Sequence, residues 1–193
     1  MLAYLFWHRP FAQVEQQLYE ASITRFQADL AAHPPPGFIS AASFKIDPVP
    51  WLGDQAGYED WYLLEGSWAM DPLNAYAITG HRQASHDSAA AQMADGCGGL
   101  YADAGGEFAA VPQSTLFWLT RPRGVRWQDG IAAVRAHCPQ ANCWRRQMVL
   151  GPAAEFAVAV PGDAEIDVPA GWQARRVPRL RLPRQTGVSA QPG

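Results

Sequence analysis

The chain has 193 residues, 48% of them hydrophobic and 17% charged, with a formal net charge of −3. That length and balance suit one domain, or two small related halves sharing a core, and exclude a collagen, a coiled coil, a disulfide mini-protein and a wholly disordered chain. Two biases remain: eight Trp, and a basic set of 15 in which Lys45 is the one lysine, which argues against lysine-centred Schiff-base chemistry.

In chain order, residues 5–10 read Leu-Phe-Trp-His-Arg-Pro, an apolar run suited to a strand and closed where proline removes a ladder donor. The apolar N-terminus has no basic n-region, and His8-Arg9-Pro10 cuts it too short for a signal segment. A helix is expected over 11–32 from the spacing of Val14, Leu18, Ile23, Phe26 and Leu30, stopped by Pro34-Pro35-Pro36-Gly37. Residues 38–46 read as a strand, 48–53 as a loop and 58–65 as another strand. A second helix over 67–78 has Ser67 as N-cap and Asp71 in its first turns. A helical piece at 87–94 precedes Gly96-Cys97-Gly98-Gly99, and Leu100-Tyr101 supply a closing strand. The first half therefore reads β-α-β-β-α-β.

The second half begins the same way. Residues 116–122, Leu-Phe-Trp-Leu-Thr-Arg-Pro, repeat the opening run with one insertion, and a helix follows over 125–137 on Val125, Ile131 and Val134. A hairpin of 143–150 and 155–160 turns at Gly151-Pro152-Ala153-Ala154. The second helix is missing or reduced to a loop, because 161–171 lacks helical period. The last strand, 172–182, contains Pro178, which restricts it to an edge or a bend, and residues 183–193 read as a flexible tail.

This layout resembles the dimeric α+β barrel superfamily in its fused two-repeat form, over about residues 2–180 and on topology alone. The resemblance implies an α+β fold in which two tandem ferredoxin-like β-α-β-β-α-β repeats, 1–104 and a reduced 112–182, pack sheet to sheet as an intrachain barrel. The superfamily includes cofactor-free antibiotic-biosynthesis monooxygenases, EthD-like, muconolactone-isomerase-like and NIPSNAP-like proteins, and haem-binding chlorite-dismutase relatives. It shares no superfamily-wide catalytic signature, so fold is implied more firmly than activity. It also implies a ligand cavity between the two sheets.

Strand alternation sorts the candidates for that cavity. Tyr4, Phe6 and His8 share one face of the first strand, and Tyr58, Asp60 and Tyr62 one face of its central neighbour. These polar-tipped sets are assigned to the cavity between the sheets, with Trp7, Trp61 and Leu63 toward the helices and Glu59 near a strand end; a one-residue register shift inverts the assignment. His8 beside Asp60 suits acid/base work, since a carboxylate fixes the imidazole tautomer and favours its protonated form. Tyr4, Phe6, Tyr58 and Tyr62 are the expected ligand-binding residues. The competing reading has His8 bonding a loop carbonyl.

The remaining clusters carry less. His81 and His86 with Asp87 could ligate an ion, but Asp87 reads better as a helix N-cap in an exposed turn. His137-Cys138 and Cys143 lack a fourth ligand and Cys97 stands apart, so reduced thiols and no metal are expected. Haem is disfavoured because the second half offers His137 alone, on a helix. No Walker A, GxGxxG or GxSxG motif occurs, and no cofactor is expected.

Charge is uneven: residues 1–96 carry a net of −7 and residues 97–193 a net of +4. Arg175, Arg176, Arg179, Arg181 and Arg184 form a terminal run that either binds phosphate or, the preferred reading, is a solvated tail or a strand pairing with the acidic half. Nucleic acid is not an expected partner, because the aromatic strands lie in the acidic half. No run approaches the roughly 18 apolar residues that span a bilayer, so a cytoplasmic monomer or homodimer with no membrane partner is expected. All six tyrosines lie at or before position 101, so the first half supplies the polar groups of any site.

The function expected is an aromatic-lined pocket for a small aromatic or enolic molecule, in a cofactor-independent oxygenase or isomerase. The alternative is a non-catalytic binding or structural barrel, and a metal enzyme using His81 and His86 comes third.

Overall fold

The computed structural model describes residues 1–105, 113–139 and 141–183. The last residues of the expected tail, and Arg184 with them, lie outside it, as does part of the junction between the expected halves. The elements are β1 Leu2–Pro10, α1 Gln16–Ala32, β2 Phe38–Val49, β3 Gln55–Leu64, α2 Met70–Ala77, α3 His81–Ala90 and β4 Met93–Gly105, then β5 Gln113–Thr120, α4 Trp127–His137, β6 Asn142–Arg146, β7 Phe156–Pro161 and β8 Gln173–Arg181. The eight strands form a closed antiparallel barrel in the order β1-β3-β2-β8-β5-β7-β6-β4. Closure leaves no sheet edge to protect.

Several elements differ from expectation. Helix α1 begins at Gln16, because the Phe11 N–H bonds back to Gln92 O and Val14 N–H to Phe11 O, holding 11–14 in a turn. Its buried stripe is Tyr19, Ile23, Phe26 and Leu30, whereas Leu18 is 60% exposed. Ser67 opens a 3₁₀ turn ahead of α2 and makes no side-chain cap. The helix expected over 87–94 instead spans 81–90, taking in the expected loop and ending before β4: α3 starts after Gly80 at φ 61, a left-handed backbone that glycine adopts without strain. Asp87 therefore sits inside α3 and is not an N-cap. The Gly96–Gly99 run is strand: β4 pairs along β1 from Leu2↔Ala102 to His8↔Gly96.

Pro178 does not place β8 at an edge. Strand β8 pairs with β5 on one side and with β2 on the other, where Arg179, Leu180 and Arg181 face Ile46, Lys45 and Phe44. The ladder with β2 thus covers only the residues after the proline, whose missing N–H cannot donate.

Alternation gives the closed sheet two unlike faces. Inward residues of all eight strands fill the barrel, among them Leu5, Trp7, Phe44, Trp61, Leu116, Trp118, Trp144 and Val177. Trp7 meets Trp118 edge-on at 5.5 Å between ring centroids, and Trp61 meets Trp144 at 5.5 Å, so large indoles from both halves interlock at the centre. Glu59 lies among them, fully buried rather than near a strand end. Its Oε2 accepts Trp7 Nε1–H at 2.8 Å, and its Oε1 accepts Trp61 Nε1–H at 2.6 Å and the Arg179 guanidinium at 3.1 Å. Arg179 also donates to Ser114 Oγ at 2.6 Å and lies over the Phe44 ring at 4.2 Å.

Outside the barrel, α1, α2 and α3 cover the first four strands. The other side is covered by α4 together with Ile166, Val168 and Trp172 from the segment that has no second helix. No helix among the described residues is long and apolar enough to cross a membrane.

Arg179→Met strands the Glu59 carboxylate in an apolar interior and is expected to cost about 3–5 kcal/mol, whereas Glu59→Gln/Arg179→Met together should cost less than Arg179→Met alone. Urea unfolding of the wild type, Glu59→Gln, Arg179→Met and the double variant checks this. A double variant as unstable as the sum of its single changes would contradict the pairing.

Candidate functional site

The register of the first two neighbouring strands sets the site. Strand β1 pairs with β3 so that Tyr4 faces Tyr62, Phe6 faces Asp60 and His8 faces Tyr58. The expected sets therefore share one face, but that face points out of the barrel toward the helices. The cavity is correspondingly between sheet and helices, not between two sheets, and the barrel interior holds the opposite set with Glu59.

The rings on this outer face stand nearly parallel, like plates in a rack. Tyr4 and Phe6 centroids are 6.3 Å apart, Phe6 and His8 5.2 Å, His8 and Tyr58 5.7 Å, and Tyr4 and Tyr62 5.8 Å across the strands, with interplanar angles of 14–29°. Strand β4 makes room for them with glycine. A Cβ on Gly96 would come 2.7 Å from the Phe6 ring, and one on Gly98 would come 2.8 Å from Tyr4. The glycine run is the seat of the aromatic rack, a role its punctuation-like sequence concealed.

Above the rack is a cavity of about 260 Å³, slightly below the roughly 300–1,000 Å³ of common small-molecule sites. Its floor is Tyr4, Phe6, His8, Asp60 and Tyr62; its walls are Tyr19, Ile23 and Phe26 of α1, Met70, Leu73, Asn74 and Ala77 of α2, and His86, Ala89 and Ala90 of α3, with Met93. Tyr58 is not part of the lining. It supports His8 from the side through ring stacking and bonds Glu20 Oε1 through its hydroxyl at 2.9 Å.

A polar chain runs beneath the cavity. His8 Nδ1 and Tyr19 Oη are 2.7 Å apart. His8 Nε2 lies 3.3 Å from Asp60 Oδ2, within ion-pair reach, yet its orientation leaves it without a hydrogen-bond partner. Asp60 Oδ2 accepts the Tyr62 hydroxyl at 3.0 Å and its Oδ1 accepts Ser43 Oγ–H, while Gln27 Nε2 donates to Ser43 Oγ at 2.5 Å. Burial raises the Tyr62 hydroxyl well above its usual pKa, and the Asp60 carboxylate beside it adds to the effect; Tyr19 and Tyr4 are raised for the same two reasons. All three stay protonated donors at neutral pH. Tyr19 can donate to Nδ1 or accept from Nδ1–H, so Nε2 acts as a donor in one arrangement and as a base in the other.

Tyr19, Ser43 and Gln27 escaped the sequence reading. Tyr19 was legible in principle, since Tyr19, Ile23, Phe26 and Leu30 fit a helical stripe better than a stripe through Leu18. Ser43 lies opposite Asp60 on β2, a register no local pattern reveals.

The other candidate clusters resolve differently. His86 Nδ1 lies 3.1 Å from Asp87 Oδ1 on α3, and His86 joins the cavity wall. The side chain of His81 lies outside the described residues. Among the described residues no group of three or more His, Cys, Asp and Glu is placed to hold a metal ion. Cys97, Cys138 and Cys143 are free thiols, and His137 Nδ1–H bonds its own helix at Ala133 O, 2.8 Å away. Of the arginine run, Arg179 is inside the barrel and Arg176 pairs with Glu165 at 2.9 Å.

No family model matches the chain, and no curated protein matches it. Two solved structures are similar over nearly its whole length. An anthrone oxidase-like protein is 11% identical, with a TM-score of 0.51 over 94% of this chain and 91% of that one. A chlorite dismutase-like protein is 10% identical, with a TM-score of 0.46 over 93% and 94% of the two chains. At 11% identity the first likeness shows a shared α+β barrel fold and nothing more.

Tyr4, Tyr19, Tyr58, Tyr62 and Tyr101 are all raised, chiefly by burial. An unfolded chain ionises these groups near about pH 10 while the native state holds them neutral, so their contribution to stability is complete below pH 10 and is lost as pH rises toward their native values. In a spectrophotometric titration most tyrosinate absorbance should appear together with loss of the native circular dichroism. Full ionisation near pH 10 in a still-folded protein would contradict the burial of these hydroxyls.

Proposed function

We propose that the cavity between the β1–β3 face and α1–α3 binds a small aromatic or enolisable molecule, with His8 and Asp60 as its proton-handling pair. The observation that carries this reading is the bare Nε2 of His8: a buried imidazole nitrogen without a hydrogen-bond partner, in the floor of a mostly apolar cavity. Such a nitrogen is costly to leave unpaired and favours a ligand that supplies the missing partner. A phenol or enol does so while its ring fills the space between Phe6, Ile23, Phe26 and Leu73.

The chemistry suited to this arrangement is proton transfer. With Tyr19 accepting from Nδ1–H, Nε2 takes a proton from a hydroxyl or from a carbon next to a carbonyl, and Asp60 stabilises the imidazolium formed. Tyr4 and Tyr62, held as donors, can bond the oxygen that gains charge. In an isomerase the proton returns to a different carbon. In an oxygenase the carbanion adds to dioxygen, taken as a second substrate, to give a carbon-bound peroxide. The anthrone oxidase-like neighbour is in keeping with a flat oxygenated substrate, although the likeness carries only the fold.

The non-catalytic reading is favoured by one observation: both oxygens of Asp60 already accept hydrogen bonds, from Ser43 and Tyr62, as a structural carboxylate's would.

The architecture is read here as two unequal copies of one unit, about 1–104 and 112–182. The reading is supported by the matching strand orders β4-β1-β3-β2 and β8-β5-β7-β6 in the barrel, and by Trp7 and Trp118 at equivalent interior positions.

Isothermal titration with 2-naphthol tests the site. The wild type should bind it, and His8→Ala and Asp60→Asn should each weaken binding about tenfold, the worth of one buried hydrogen bond. Binding unchanged in both variants would remove His8 and Asp60 from the site.

A further inference from the structure

The polar groups of the cavity fall at two ends. His8 and Asp60 are buried on the sheet side, whereas Asn74 on α2 is exposed and His86 on α3 is half-buried, both on the opposite wall. Between floor and rim the lining is apolar. A ligand with one polar group leaves one end unanswered, because a deep hydroxyl that meets His8 carries nothing to the rim.

His86 is held for a role there. Its ring meets Phe26 edge-on at 5.5 Å, and its Nδ1 lies 3.1 Å from Asp87 Oδ1. An ionised carboxylate can only accept, so Nδ1 carries the hydrogen and the lone pair of the neutral ring belongs to Nε2. Nε2 then accepts from a hydroxyl, and the Asn74 amide offers both a donor and an acceptor beside the same opening.

On the reading that this cavity binds a flat aromatic molecule, we infer that its ligand class is a bicyclic aromatic with oxygen groups at opposite ends, and that Asn74 and His86 are the specificity-determining residues for the outer group. The floor reads the group that reacts, and the rim reads the group that stays.

Three probes separate this inference from the reading beneath it: 2-naphthol with one hydroxyl, 2,6-dihydroxynaphthalene with hydroxyls at opposite ends, and 2,3-dihydroxynaphthalene with both at one end. Affinities measured by calorimetry should be about tenfold tighter for the 2,6-isomer than for 2-naphthol, with no such gain for the 2,3-isomer. Asn74→Ala/His86→Ala should erase the 2,6 advantage, bringing that isomer's affinity down to the variant's own affinity for 2-naphthol, and His86→Gln, which keeps a polar tip, should recover part of it. A merely structural role would weaken all three probes alike, and that result would overturn the inference. So would an equal gain for the 2,3-isomer, or a 2,6 advantage that survives in the double variant. If none of the probes binds the wild type, the pocket reading fails and the inference with it; binding of 2-naphthol without the 2,6 gain overturns the inference alone.

Discussion

Glu59 cannot be placed anywhere else. A carboxylate at the centre of the barrel is tolerated because two indole N–H groups and the Arg179 guanidinium answer both of its oxygens. That requirement sets which face of β3 looks inward. Sliding β3 by one residue would turn Glu59 out to the helices and bury Tyr58, Asp60 and Tyr62 in the interior instead, so the ion pair favours the observed register. With Glu59, Trp61 and Leu63 inward, Tyr58, Asp60 and Tyr62 must point to the helices. The site is thus a consequence of an interaction on the other side of the same strand.

The pair also ties β3, early in the chain, to β8, its last strand, since Glu59 and Arg179 are 120 residues apart. Around it, the two sides of the barrel are finished differently. On the first side three helices stand over the rack and leave a cavity. On the second, α4 and the segment bearing Ile166, Val168 and Trp172 pack directly on Phe117, Phe156 and Val158. Loop side chains there pack straight onto the sheet. The concentration of tyrosine and histidine in the first half accords with the polar-lined hollow on that side.

Much of this was legible in the sequence, and the failures have identifiable causes. Period-two alternation brought Tyr4, Phe6 and His8 onto the same face as Asp60 and Tyr62, and the parity held even though the direction of that face was reversed. Direction could not be read locally, since it depends on Arg179, a residue read as part of a solvated tail or of a strand pairing with the acidic half, with nothing local to mark its partner as Glu59. Glycines at 96, 98 and 99 did not read as part of the closing strand, because their use, room for neighbouring rings, is tertiary. Residues 81–86 looked like loop because their few apolar groups give little helical period; packing against α1 and a glycine start draw them into the helix expected to begin at 87.

The central claim is that ligand chemistry takes place outside the barrel, over His8, and not within it. A crystal structure of the protein soaked with 2-naphthol tests this most directly. The account predicts the naphthol ring between the β1–β3 face and helices α2 and α3, with its oxygen within hydrogen-bond distance of His8 Nε2. Naphthol lodged among the barrel tryptophans beside Glu59, or bound elsewhere while His8 Nε2 stays unpaired, would contradict it.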